Sequence, residues 1–232
     1  MADNRYKRVK SVLDKRQLDL TVCLDEVHKH HNLSAIVRTA DAVGCPHVHA
    51  VWPREQRRLT TNTSGGSKNW VETHMHDDID DAVKALREQI PGVQILATNL
   101  SDSAVDFREI DYTKPTAVIV GQERDGISDK ALAHADQHII IPMEGMVQSL
   151  NVSVAAALIL YEAQRQRENA DMYQPNDHLD KNTKHTLLFE GCHPIIAQQC
   201  RLKGLPYPEL DDEGEIVADE AFWNTLRFVK KA

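Results

Sequence analysis

The feature that most constrains the fold is an alternation between Leu20 and Asn169 of short runs rich in valine and isoleucine with segments of helical periodicity. The runs are five or six residues long and bounded by turn residues, which predicts buried strands. Strands separated by helices favour an α/β fold, with βα units around a mostly parallel sheet that is covered on both faces. The predicted strands are Leu20–Leu24, His47–Trp52, Val93–Thr98, Ala117–Gly121 and His138–Pro142, and the predicted helices are Ser34–Val43, Ile79–Gln89, Asp129–Ala135 and Asn151–Gln166.

The chain is predicted to have three parts. Its 232 residues suffice for one large domain with appendages. Residues 1–19 contain a basic helix, residues 20–169 form the α/β domain, and residues 170–232 form a helical extension with a helix over Asn182–Leu202 and an acidic end. In the first helix the apolar residues Tyr6, Val9 and Leu13 share a face between six cations, so the basic face is either solvated or grips phosphates.

Composition excludes several classes of protein. Apolar residues make up 41% and charged residues 27%, which is typical of a globular protein, and no run approaches the roughly 18 apolar residues of a membrane helix. The N-terminus shows no apolar segment of the kind found in secretory signals. Four cysteines without a C-x-x-C pair predict reduced thiols in a cytoplasmic protein, and the twelve histidines show no ligand spacing that predicts a metal site.

Three motifs are absent from the sequence, which excludes further classes of enzyme. The chain has no G-x-G-x-x-G, which excludes the ordinary dinucleotide or Rossmann methyltransferase fingerprint. It also lacks the phosphate-binding G-x-x-x-x-G-K-[ST] loop and the G-x-S-x-G elbow of α/β-hydrolases.

Polar residues instead cluster at three strand–loop–helix junctions. In the first cluster Asn32 and Ser34 lie at a predicted helix start, and Arg38 follows Ser34 by four residues on the same face. Arg38 is either a salt-bridged structural residue or a guanidinium aimed at phosphate or ribose oxygens. The second cluster runs from Gly121 through Glu123 to a helix start that Ser128 is predicted to cap.

The third cluster follows the last predicted strand. Its loop leads to Ser149 and Asn151, and the helix after it opens with small residues that permit close packing. Because ligands of open α/β sheets bind at the carboxyl ends of strands, the three junctions are expected to converge on one pocket.

In this order the three clusters resemble the SpoU family of RNA ribose methyltransferases. Asn32, Arg38 and Ala40 match the family's first motif, with Ser34 one place earlier than usual. The second motif, G-x-E-x-x-G, begins at Gly121, and the third, I-P-M-x-G-x-x-x-S-L-N-V-S-x-A, runs unbroken from Ile141. The likeness extends over nearly the whole chain to the branch that methylates guanosine 18 in the D-loop of tRNA.

This resemblance implies a fold, a cofactor and a set of site residues. The fold would be an α/β knot, a deep C-terminal trefoil, in a homodimer that acts on tRNA. S-adenosylmethionine would be held by Thr98, Gly121, Ile141, Met143 and Leu150, and no metal would be needed. The catalytic residues would be Arg38, Asn32, Glu123, Ser149 and Asn151, although Asn151 is equally credible as a helix cap.

The resemblance assigns activation of the ribose 2′-hydroxyl to Arg38. A guanidinium group stays protonated in water at physiological pH, which makes it an unusual base. Either Arg38 stabilises the developing alkoxide while a phosphate or water takes the proton, or a substrate phosphate turns it into a base. We favour stabilisation because it requires no deprotonation.

A chain with a net charge of −8 needs local positive charge to hold tRNA. The predicted RNA contacts are Arg8, Lys10 and Arg16 from the first helix and Arg54, Arg57 and Arg58 from a Thr-, Ser- and Gly-rich segment. That segment has a plainer interpretation as a solvated loop. RNA binding through these residues would weaken steeply with salt.

Two other functions remain open at this stage. The catalytic motifs do not separate a tRNA methyltransferase from a ribosomal RNA ribose methyltransferase of the same family. A non-catalytic RNA-binding protein with the same fold is the other alternative, although it would not need to keep all five polar residues of the motifs.

Overall fold

A computed structural model describes residues 2–27, 29–52, 70–122, 126–176 and 178–226. The chain divides into two compact units. One comprises Arg16–Tyr173, and the other comprises Met1–Lys15 together with Gln174–Ala232.

The larger unit is built on a seven-stranded sheet in which all neighbouring strands are parallel. All five predicted strands are present within two residues of their expected ends, which confirms the α/β assignment. The sheet order is β3-β2-β1-β6-β4-β7-β5. The strands are β1 (Leu20–Leu24), β2 (His47–Val51), β3 (Glu72–His76), β4 (Gln94–Thr98), β5 (Val105–Asp106), β6 (Thr116–Val120) and β7 (Gln137–Ile140).

Helices cover both faces of this sheet. Along each strand alternate side chains point to opposite faces, so Val118 packs into one hydrophobic cluster and its neighbour Ile119 into the other. Apolar residues of α2 and α5 complete the first cluster, and those of α3 and α4 complete the second. The helices are α2 (His30–Ala42), α3 (Ile79–Gln89), α4 (Asp129–His134) and α5 (Val152–Asn169), with a 3-10 turn at Phe107–Glu109.

The helix caps agree with expectation at two of three starts. Ser128 accepts a hydrogen bond from the Ala131 N–H and caps α4, and Asn151 accepts one from the Ser153 N–H and caps α5. The predicted start of α2 at Ser34 is wrong, since the helix begins at His30 after Lys29, whose side chain makes no capping hydrogen bond. Asn32 and Ser34 therefore lie within the helix.

Arg167 secures the C-terminal end of α5 inside the larger unit. Its side chain is fully buried. Its Nε donates to the carbonyl of Tyr112 at 2.8 Å, and its terminal nitrogens donate to the Asp19 carboxylate, to Gln17 Oε1 at 3.0 Å and to the carbonyl of Lys114 at 3.1 Å. These bonds connect α5 to the residues before β1 and β6, and so hold the helix that follows the third motif.

The smaller unit is mostly helical. The predicted helix over Asn182–Leu202 is two helices, because Pro194 has no N–H to continue the first and begins the second. The elements are α1 (Ala2–Leu13), α6 (Lys181–Cys192), α7 (Pro194–Lys203), the hairpin of β8 (Glu209–Leu210) and β9 (Ile216–Val217), and α8 (Glu220–Leu226).

An ion pair holds α1 against α6 within this unit. The buried Asp14 lies 2.7 Å from Lys184 Nζ and 3.3 Å from Lys10 Nζ. Burial would raise the pKa of the Asp14 carboxyl, but the hydrogen bonds from Lys184 and Lys10 outweigh it and leave the pKa below its usual value.

None of the helices in the described part of the chain is long and apolar enough to cross a membrane. The trefoil knot stays a prediction, because strand order alone does not specify how the chain threads.

Candidate functional site

The carboxyl ends of three neighbouring strands, β6, β4 and β7, open into one cavity of about 460 Å³. Thr98 ends β4, Gly121 follows β6, and Ile141 follows β7, and all three line this cavity. Its volume lies in the range of small-molecule sites. The expected convergence of the three junctions is therefore confirmed for the second and third clusters.

The remaining wall comes from the chain that precedes α5. Met143, Ser149 and Leu150 line the cavity together with Val152 and Ala155 of the helix itself. Every residue predicted to hold the cofactor thus lies on this one surface, and so does Ser149 from the predicted catalytic set.

The chemistry of the lining suits a nucleoside that carries a sulfonium. Apolar side chains, including Leu100, Ile127 and Leu150, form much of the wall, and Asn99, Gln122 and Gln148 add polar groups. None of the described lining residues is charged. Aromatic bases favour such apolar walls with a few polar groups for orientation, so the described residues fit S-adenosylmethionine.

Gly121 has a steric reason to be glycine. The backbone groups of Gln122 and Gly126 exchange two hydrogen bonds of 2.8 and 3.1 Å, which hold these two residues side by side. A Cβ atom at Gly121 would overlap the carbonyl group of Gly126. Any side chain here would therefore displace the loop that borders the cavity.

Asp25 supports this loop from beneath, a role that the sequence analysis missed. Its carboxylate accepts the Ser128 N–H at 2.7 Å, and its own N–H donates to the Val120 carbonyl at 2.8 Å. It thereby connects the end of β6 to the start of α4. An acidic residue directly after the buried run Leu20–Leu24 was the available signal, because a buried carboxylate needs partners.

Two asparagines join the first motif to the third. Asn151 Nδ2 donates to Asn32 Oδ1 at 3.4 Å, and Asn32 is 1% exposed. The Oδ1 of Asn151 accepts from both the N–H and the hydroxyl of Ser153, at 2.9 and 2.6 Å. Asn151 therefore caps α5 and bonds to Asn32 at once, which places both residues beside the cavity wall.

Arg38 does not line the cavity of its own chain. It lies six residues beyond Asn32 in α2, which moves it about 9 Å along the helix axis and onto a different face. Its side chain is exposed and makes no hydrogen bond or ion pair with the described residues. Glu123, the remaining predicted catalytic residue, lies outside the described residues.

The predicted RNA contacts include exposed residues, one buried residue, and residues outside the described part of the chain. Arg8 and Lys10 are exposed on α1, and Lys10 pairs with Asp14. Arg54, Arg57 and Arg58 lie outside the described residues. Arg16 is only 2% exposed and donates to the Asp41 carboxylate at 3.1 Å and to the Trp70 carbonyl at 2.9 Å.

The prediction for Arg16 is therefore corrected, because its guanidinium is buried and donates to protein oxygens. A cationic residue lies at the surface only when no buried acceptor pairs with its side chain.

Comparisons with known proteins agree with this geometry. Residues 19–161 match the model of the SpoU rRNA Methylase family, and residues 165–219 match that of the SpoU rRNA methylase C-terminal region. The tRNA (guanosine(18)-2′-O)-methyltransferase of Escherichia coli strain K12 is 57% identical over 228 residues, which are 98% of this chain and 99% of that protein.

Two solved structures extend the likeness to the fold. The crystal structure of the TrmH/SpoU tRNA modifying enzyme of Aquifex aeolicus has a TM-score of 0.73 at 42% identity, over 83% of this chain and 97% of that one. The SpoU methyltransferase AviRb of Streptomyces viridochromogenes, solved with AdoMet, has a TM-score of 0.56 at 29% identity, over 66% of this chain and 62% of that one. Motifs, cavity and matches agree, and the chain belongs to the SpoU methylase family.

Proposed function

We propose that the protein transfers a methyl group from S-adenosylmethionine to the ribose 2′-hydroxyl of guanosine 18 in tRNA. One observation carries the proposal: the five residues that the family resemblance predicts to hold the cofactor line a single cavity, and its described lining residues are uncharged. The tRNA (guanosine(18)-2′-O)-methyltransferase that matches this chain from end to end supports the choice of substrate.

Thr98, Gly121, Ile141, Met143 and Leu150 would hold the cofactor, which supplies an electrophilic methyl group when bound. The apolar wall would exclude water from the nucleoside, and the small Gly121 would leave backbone groups accessible to it. These residues bind and orient, and none of them carries a charge that would oppose a sulfonium.

Arg38 would act on the ribose. Its guanidinium is exposed and free of described protein partners, so its donors are available for the 2′-oxygen and a neighbouring phosphate. As the hydroxyl loses its proton, these hydrogen bonds would strengthen and stabilise the negative charge. Asn32, Ser149 and Asn151 would position the sugar, and Glu123 would orient Arg38.

The working unit would be a homodimer. Val154, Leu158 and Tyr161 lie at helical spacing along α5 and are between 42% and 53% exposed, and Met146 in the preceding loop is fully exposed. An apolar stripe of this kind beside a cavity is typical of a protein interface. A second copy of the chain would cover the stripe, and the partner's Arg38 would then reach the cavity that it does not reach within its own chain.

The exposed Arg8 and Lys10 on α1 would hold the RNA backbone, and Arg54, Arg57 and Arg58, which lie outside the described residues, would contribute to the same contact. The four cysteines are free thiols, which fits the reducing cytoplasm as the site of action. Ribosomal RNA is the second candidate substrate, because the matching family model carries the name of an rRNA methylase.

Radiolabelled S-adenosylmethionine distinguishes these substrates. We expect label in tRNA, none in tRNA whose guanosine 18 bears a 2′-deoxyribose, and none in ribosomal RNA. Label in ribosomal RNA alone would select the second candidate, and label in neither RNA would contradict methyl transfer altogether.

Arg38→Ala should lower the rate of transfer by about 10²–10³-fold, the loss typical of removing a donor to a developing oxyanion, while donor affinity stays within about threefold. Arg87→Ala, which removes an exposed arginine from α3, is the matched control and should retain full activity. Near-normal turnover of a folded Arg38→Ala enzyme would contradict the assigned role.

Mixed dimers test which cavity Arg38 serves. At S-adenosylmethionine concentrations well below the wild-type Kd, dimers of the Arg38→Ala chain or of the Gly121→Ala chain should retain at most about a tenth of wild-type activity. A mixed dimer has one complete site if the arginine crosses the interface. Co-expression should then restore roughly a quarter of wild-type activity, since half of randomly paired dimers have one of two sites intact. Inactive mixed dimers would place Arg38 at the cavity of its own chain.

A further inference from the structure

One face of the pair β2–β3 carries a row of histidines. The strands pair in parallel with His47 opposite Glu72 and His49 opposite His74. Alternate residues of a strand share a face, so these four side chains and His76 point the same way. Sequence inspection places His74 near His76 but gives no reason to place either near His47, because the register of β3 decides that contact.

Three atoms of this row form a compact triangle. His47 Nδ1 lies 3.1 Å from His74 Nε2, and Glu72 Oε2 lies 3.7 Å from His47 Nδ1 and 3.8 Å from His74 Nε2. A point about 2.1 Å from all three atoms exists within this triangle, and that is the length of Zn–N and Zn–O bonds. In the described part of the chain this is the one group of three such ligands close enough to share an ion.

The ligands are reachable from solvent. The side chains of His47 and His74 are 26% and 29% exposed, and that of Glu72 is 68% exposed.

The neighbouring histidines limit the motion of one ligand. The ring of His49 is buried and stacks on that of His74, with centroids 4.8 Å apart. His49 is fixed in turn by His76, whose Nε2 lies 3.0 Å from His49 Nδ1. Rigid ligands lose little conformational entropy when a metal binds.

We propose that His47, Glu72 and His74 bind a divalent transition-metal ion of the zinc class, with water as the fourth ligand. Two imidazoles and one carboxylate suit Zn²⁺, whereas Mg²⁺ and Ca²⁺ prefer oxygen ligands throughout. The role would be structural. The ion would fasten the edge strand β3 to β2, and β1 and β2 separate β3 from the strands around the cavity.

The proposed metal site adjoins the segment of chain between β2 and β3. The segment that leaves β2 and returns at Glu72 contains Arg54, Arg57 and Arg58, the predicted RNA contacts. A metal at the start of β3 would fix one end of that segment without touching the methyl-transfer cavity.

The test uses the full-length, tag-free protein stripped of metal with a chelator. Titration with Co²⁺ should produce the visible absorption bands of a four-coordinate ion at one equivalent, and Zn²⁺ should abolish them by competition. Zn²⁺ at a hundredfold excess over its Kd should raise the melting temperature by about 5–10 °C.

Variants locate the ion. His74→Gln should weaken Zn²⁺ binding by more than about 100-fold, since direct ligands matter more than the outer partners whose loss costs 10–100-fold. Glu72→Gln, a change at an exposed side chain that leaves folding intact, should weaken binding at least about tenfold. His134→Gln is the matched control, because it removes a different histidine–carboxylate pair, with Asp80, and should change nothing.

Methyl transfer by the metal-stripped enzyme should persist, which separates this proposal from the proposed function. A wild-type protein that binds no Zn²⁺ at micromolar concentrations would overturn it. Equal Zn²⁺ affinity of the wild type and both site variants would also overturn it, because the ion would then sit at other histidines.

Discussion

Replacing Arg167 by methionine tests how α5 is held. Methionine keeps much of the aliphatic bulk of the side chain but removes every donor. The substitution would remove the Arg167 donor from Gln17 Oε1 and from the Tyr112 carbonyl, and would leave the Asp19 carboxylate without its counter-charge. The Lys114 carbonyl would keep only the hydrogen bond from the Thr116 hydroxyl.

The size of the loss in stability depends on which polar groups stay buried after the substitution. Breaking a buried ion pair by removing one partner costs about 3–5 kcal/mol, because the remaining polar groups lose both water and protein partners. The Asp19 side chain is 35% exposed and can recover some hydration, which favours the lower half of that range. For a chain of this length a loss of about 3–4 kcal/mol corresponds to a fall in melting temperature of about 6–16 °C.

Thermal and urea unfolding, followed by circular dichroism, would measure this difference. Arg165→Met is the matched control, since Arg165 lies two residues earlier in α5, is 61% exposed and pairs only with Glu162 among the described residues. Its loss should cost at most about 0.5 kcal/mol. Equal destabilisation by the two substitutions would refute the reasoning, because burial would then not decide the cost of losing an arginine.

Two further substitutions test the cavity and the smaller unit. Gly121→Ala should weaken S-adenosylmethionine binding at least about tenfold, because its methyl group would overlap the Gly126 carbonyl, whereas Gly145→Ala meets no atom within 4 Å and should bind normally in isothermal titration calorimetry. Asp14→Asn should lower the free energy of unfolding by about 1–3 kcal/mol at pH 7 by breaking the pair with Lys184. The pKa of Asp14 is lower in the folded state than in the unfolded state. The wild type should therefore have the larger free energy of unfolding above about pH 4, and should lose this difference from the variant as the pH falls further. A difference in the free energy of unfolding that grows in acid would contradict this assignment.

The edge strands show where the local sequence pattern does not predict a strand. Four of the five predicted strands are largely buried, and all five contain at least two adjacent apolar residues, so the runs are visible by inspection. β3 reads Glu-Thr-His-Met-His and β5 has two residues, because a strand at the edge of a sheet has less apolar surface to bury. Both edges therefore escaped the analysis of the sequence.

Arg16 and Arg38 show that the local sequence also does not predict whether a charged side chain is buried. Arg16 and Arg38 follow local patterns that suit RNA contact, yet one is buried against Asp41 and the other is exposed. Whether a cation meets a protein acceptor or solvent depends on residues distant in the chain, such as Trp70.

The amino-acid sequence by itself predicted the mostly parallel sheet, since apolar runs and helix caps act over a few residues. Its motifs, through their resemblance to the SpoU family, also predicted the cofactor residues that line the cavity. The tertiary structure alone decided the pairing of Asn32 with Asn151, the burial of Arg16 and the meeting of His47 with Glu72 and His74. Each of these contacts joins side chains 25 to 119 residues apart, and strand register and helix packing bring them together.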